Sequence, residues 1–175
     1  MNIRFSSKQM FHIAGWSAYL SAAAMVISIA LTVIVFSQGT VVPGTRTHNA
    51  FIEVFDVSAA LFLIPLPIAL DRLYGTTAPT LSRLAMLIGV AVGMAGTILS
   101  LLFVFEVLWF VDVFVEFLYG LPAFSLWMLL EAFLARQSGK PPGGFFMALL
   151  GATILCYPLW AVWLGHYFLS REFSM

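Results

Sequence analysis

EVLWFVDVFVEF, residues 106–117, places Glu106, Asp112 and Glu116 in the middle of a 52-residue segment, Leu84 to Ala135, whose only other charged residue is Glu131. A single bilayer-crossing helix needs about 17 to 25 apolar residues, so the segment is too long for one. Two helices fit if the chain turns near residues 106–113, and the three carboxylates then mark an external turn between them. The fold follows from that choice.

The rest of the composition points the same way. Of 175 residues, 62% are hydrophobic and 9% charged, with a mean hydropathy of +1.01. A soluble domain has about a quarter of its residues charged. The whole chain, 1–175, therefore reads as a single transmembrane domain with no soluble part. Eight basic and eight acidic residues give zero net charge, which leaves no basic patch for nucleic acid. The one cysteine, Cys156, excludes an internal disulfide and a CxxC pair, and reads as a small buried hydrophobe. Near the start, Arg4 and Lys8 precede an apolar run, Ile13 to Phe36, of 24 residues; a signal peptide's apolar region is about 7 to 15, so an uncleaved first span is expected.

Turn residues and charges outline the remaining loops at 37–50, 71–83 and 136–144. The expectation is an all-α bundle of five transmembrane helices, at about 13–36, 51–70, 84–105, 113–135 and 145–168. In that arrangement Arg4, Lys8, Arg72, Arg83, Arg136 and Lys140 share one side, with Arg46 and Arg171 on the other. Basic residues collect in the cytoplasm, so the N-terminus is expected to be cytoplasmic and the C-terminus external. Ser17, Ser21, Ser28 and Thr32 fall on one face of the first span and are expected to hydrogen-bond to other helices. Gly89, Gly93 and Gly96 form an extended GxxxG pattern that suits close helix contact, within the chain or between copies. Pro65, Pro67, Pro122 and Pro158 each remove a backbone donor from a span and predict kinks.

Orientation then gathers most acids externally: Glu53 and Asp56, three residues apart, and Asp112 and Glu116, four apart, each pair on one helical face. Asp56 and Glu116 are the deeper members. An ionisable group in hydrocarbon is costly unless it faces the bundle or water, which makes it a functional candidate. His48 and His166 complete the candidate set for a ligand, proton or cation: Asp56, Glu116, Asp112, Glu53, His166 and His48. Carboxylate and imidazole are metal-ligand types, but no HExxH or paired-histidine spacing is present, so neither metal nor cofactor is expected. Asp71 and Glu131 read as inner-side acids that Arg72, Arg83 and Arg136 can pair with. No nucleophile elbow, Walker loop or dinucleotide fingerprint occurs.

FHIAGWSAYLSAAAMVIS (11–28), DVSAALFLIPLPIALDRLYG (56–75) and YPLWAVWLGHYF (157–168) carry a resemblance. Through Asp56, the Pro65/Pro67 pair, Arg72 and the run from Tyr157 to Trp160, the chain resembles small uncharacterised bacterial multi-pass membrane proteins. The resemblance implies the bacterial plasma membrane (inner membrane) and four to six helices, and brings no activity. The function expected is a non-enzymatic accessory or small-ligand-binding bundle with an acidic external face. Two alternatives are an oligomeric proton- or cation-coupled carrier or channel using Asp56 and Glu116, and a membrane-embedded enzyme acting on a lipid or isoprenoid. Expected partners are membrane lipids, a second copy or a larger membrane complex.

Overall fold

A computed structural model describes residues 6–37, 46–105, 110–140, 144–151 and 156–170. Among them are seven helices and no strand: α1 (Ser7–Ser37), α2 (Arg46–Leu63), α3 (Pro65–Tyr74), α4 (Pro79–Val104), α5 (Phe110–Ser138), α6 (Gly144–Gly151) and α7 (Tyr157–Ser170). Three stretches, Ser7–Val35, Ile52–Tyr74 and Pro79–Val104, are long and apolar enough to cross a membrane. The second includes both α2 and α3. Pro65 and Pro67 interrupt its hydrogen bonding at Ile64, whose N–H donates to Leu61 at 3.3 Å, and the chain continues as α3. Pro122, by contrast, is carried inside α5.

The opening stretch separates two helices as expected. α4 is capped at Phe105 and α5 begins at Phe110, with Glu106–Trp109 outside the described residues. The two helices pack through Gly89, where an added Cβ would lie 2.6 Å from the Trp127 indole nitrogen. On the same face of α4, Gly93 meets Ile64 and Leu63, and Gly96 meets Ala60. The GxxxG pattern thus packs α4 against α2, α3 and α5 of its own chain. Without a hydrophobic drive between helices in lipid, such close backbone approach is what supplies dispersion contact.

The last segment departs from expectation. A single helix over 145–168 would hold Gly151 and Trp160 about 14 Å apart. A Cβ at Gly151 would instead be 3.0 Å from Trp160 Cβ and 2.5 Å from Met128 Cε, so α7 folds back along α6. Pro158 explains the break: at the second position of α7 its missing N–H is an orphan anyway, whereas in the interior of one long helix it would clash with the preceding turn. α7 lies alongside α5, Tyr157 against Phe124 and Trp160 against Trp127, with ring centroids 5.5 and 5.7 Å apart. It runs antiparallel to α1, pairing Phe168 with Phe11 (5.3 Å) and Gly165 with Gly15, where an added Cβ would be 2.9 Å from the Gly15 carbonyl. The end of α7 therefore lies with the start of α1 at one end of the bundle, the near end. In place of the one helix expected over 145–168 there are two short ones, α6 and α7.

Tyr157, the first residue of α7, faces Phe124, which is the midpoint of α5. Helix α7 thus starts level with the middle of α5 and runs to the near end. Its aromatic side chains form the core with α5: Trp127, Trp160 and Phe168 are fully buried, while Leu159 and Val162 on the other face of α7 are exposed. Outward faces elsewhere carry Trp16, Val33, Leu87 and Phe133, each more than half exposed, as expected of helices that meet lipid.

Candidate functional site

The polar stripe on α1 organises the far half of the bundle. Ser17, Ser21 and Ser28 are all buried. Ser21 Oγ donates to the Ala59 carbonyl at 2.8 Å and lies 2.7 Å from the Tyr157 hydroxyl, which ties α1 to α2 and to the tip of the hairpin. A hydroxyl is well placed there: the α1 backbone is already satisfied within the helix, so its side chain can bond across to a neighbour. Two turns further along α1, Ser28 hydrogen-bonds to the Asp56 carboxylate on α2. Asp56 is half-buried, and Glu53, one turn nearer the far end on the same helix, is half-buried as well.

Of the six expected site residues, Glu53, Asp56 and His166 have described side chains, and His166 lies apart from the other two. His166 is exposed on α7, next to Gly165 and therefore level with Gly15 at the near end, whereas Asp56 is level with Ser28. Thirteen residues of α1 separate those levels, about 20 Å along the axis. His166 is removed from the far-end set; the return of α7 puts it on the wrong half. Asp112 and Glu116 lie in the first two turns of α5 and His48 in the first turn of α2, but their side chains fall outside the described residues. Among the described residues, no three His, Cys, Asp or Glu side chains come close enough to hold a metal ion. Cys156, expected to be buried, is half-buried and free.

Sequence reasoning passed over a second polar group at the near end. Glu131 is 2% exposed, in a row with Phe124, Trp127, Met128 and Ala135 on the inward face of α5. Trp127 Nε1 donates to its Oε1 at 3.0 Å, and Oε2 has no hydrogen-bond partner among the described residues. Asp71 and Tyr74 of α3 lie within electrostatic range of Glu131, as does Tyr167 of α7 of Tyr74. The Ser82 hydroxyl of α4 donates to Asp71 Oδ1 at 2.7 Å. Glu131 is thus an enclosed acid rather than a surface acid of the kind the sequence suggested. The signal was available: Phe124, Trp127 and Glu131 recur at intervals of three and four, which assigns the carboxylate to the aromatic face.

Two polar groups within the bundle result: Ser28–Asp56 towards the far end and Trp127–Glu131 towards the near end. The first is half-exposed. The second is enclosed. Comparison of the chain with protein-family models, curated proteins and solved structures finds no match.

Proposed function

We propose that the chain is a multi-pass protein of the bacterial plasma membrane in which α1, α2–α3, α4 and α5 cross the bilayer and α6–α7 enters from the cytoplasmic side and returns. At 1.5 Å per residue, the 8 residues of α6 and 14 of α7 extend about 12 and 21 Å, short of the roughly 30 Å of hydrocarbon, whereas the 29 of α5 extend about 44 Å. Charge supports the same topology. With α7 returning to the cytoplasm, Arg4, Lys8, Arg72, Arg83, Arg136, Lys140 and Arg171 share that side and only Arg46 is external. Seven against one is a stronger asymmetry than the six against two of five crossings.

Within that topology the protein is a non-enzymatic bundle that binds a small organic cation from outside. The observation that carries this is the Asp56–Ser28 pair, a half-buried carboxylate fixed between α1 and α2 beyond the level at which α7 stops. Glu53, Glu106, Asp112 and Glu116 lie on the same side against Arg46, so the external surface attracts cations. In lipid nanodiscs, tetramethylammonium or ethylammonium should raise the unfolding temperature of the protein and leave that of Asp56→Asn unchanged. Equal responses from the two proteins would remove Asp56 from the site.

The half-depth hairpin favours one second reading, because helices broken at mid-membrane form ion and substrate sites in carriers. On that reading Asp56 and Glu116, in an oligomer, move a proton or cation. Liposomes would then show a flux that Asp56→Asn and Glu116→Gln abolish.

A further inference from the structure

We propose that Glu131 is a proton-binding site of the cytoplasmic half of the bundle, enclosed by the α6–α7 hairpin. The site is separate from Asp56 and does not depend on the cation-binding reading. Four observations assemble it. The Glu131 side chain is almost wholly buried, and one oxygen is fixed by the Trp127 indole while the other has no hydrogen-bond partner among the described residues. A second carboxylate, Asp71 on α3, lies within electrostatic range and is itself oriented by Ser82. Tyr74, also buried, lies within electrostatic range of Glu131. Finally, the indole that holds Glu131 is clamped between Gly89 of α4 and Trp160 of the hairpin, so the carboxylate is held in one orientation.

An orphaned carboxylate oxygen in hydrocarbon is costly as an anion and calls for a positively charged partner. A metal ion needs several oxygen donors around it. Here no three His, Cys, Asp or Glu side chains form a group among the described residues, whereas one proton suffices to neutralise Glu131. The titratable groups within range of Glu131 are Asp71 and Tyr74 on α3, with Tyr167 of α7 in range of Tyr74; the described part of α6 contributes none. At the same end, Lys8 and His12 of α1, Arg72, Arg83, Arg136 and His166 are exposed. Of these, Lys8, Arg72, Arg83 and Arg136 place positive charge at that end. Proton exchange is therefore expected from the cytoplasmic side, past Asp71 and Tyr74.

Infrared spectra of the protein in lipid nanodiscs test this directly, titrated with pH in choline chloride and again in sodium chloride. The expected result is a carbonyl band of a protonated carboxylic acid that appears and disappears with pH, shifts in deuterium oxide and is lost in Glu131→Gln. Trp127→Phe, which removes the indole donor and retains an aromatic ring, should keep the band and move its frequency. A titrating band that both variants leave unchanged overturns the assignment. So does a band that follows sodium rather than pH, which would make the ligand a metal cation. If Glu131→Gln does not fold, the frequency shift in Trp127→Phe still decides the matter, since no other carboxylate accepts from that indole.

Discussion

Replacing Gly89 by alanine puts a methyl group where three heavy atoms already lie at 2.6 to 2.7 Å: the indole nitrogen and Cε2 of Trp127 and the ring Cγ of Pro67. Neither neighbour can turn aside. The indole is pinned by Trp160 and by its bond to Glu131, and the proline ring is part of the α3 backbone. The helices must therefore separate, at a cost of about 1 to 3 kcal/mol for an overpacked core. Gly96 is the internal control, because an alanine there meets only the Ala60 Cβ at 3.3 Å. Helix propensity of up to about 1 kcal/mol offsets that close contact, so this variant should stay within about 1 kcal/mol of the parent. A difference of about 2 to 3 kcal/mol between Gly89→Ala and Gly96→Ala corresponds to roughly 4 to 12 °C in unfolding temperature for a chain of this size. Thermal unfolding in detergent by near-ultraviolet circular dichroism measures it. Equal stability of the two variants, with loss of a dimer in Gly89→Ala, would refute the packing and assign the glycines to contacts between copies.

Two further perturbations address the hairpin. Ser21→Ala and Tyr157→Phe, taken singly and together, should show a coupling of about 0.5 to 1.5 kcal/mol in a double-mutant cycle of unfolding free energies, because the two hydroxyls are 2.7 Å apart; simple additivity would mean that the tip of α7 does not reach α1. Trp160→Ala should cost about 3 to 5 kcal/mol, as expected for a side chain 2% exposed between Trp127 and Tyr157. A loss below about 1 kcal/mol would place Trp160 in lipid and undo the fold-back of α7 on α6.

Much of this arrangement is legible from residues alone. The length of Leu84 to Ala135 requires two helices, and α4 and α5 separate within the stretch where the acids accumulate. The serine spacing on the first span anticipates a buried stripe, and Ser17, Ser21 and Ser28 are buried. What was illegible lies where length and composition allow two answers. Residues 145–168 are apolar and long enough to cross once, and Pro158 kinks a long helix as readily as it starts a short one. Only the contact of Gly151 with Trp160, which is tertiary, decides for the hairpin. Glu131 was misread for a different reason: Arg136, five residues on, suggests an interfacial acid, while the helical face that Glu131 shares with Trp127 places it inside. For Asp56 the sequence indicated an intramembrane acid, and its partner Ser28 lies on the predicted stripe.

Thiol labelling distinguishes a returning hairpin from a fifth crossing most directly, because Cys156 is the chain's single cysteine and is easily removed. In a Cys156→Ser background, Ser170→Cys tags the exposed end of α7 and Ser37→Cys the exposed end of α1. With a membrane-impermeant maleimide, the hairpin requires that Ser37→Cys be labelled in intact cells and that Ser170→Cys be labelled only in inverted vesicles. Labelling of both variants from outside intact cells would contradict it and restore five crossings.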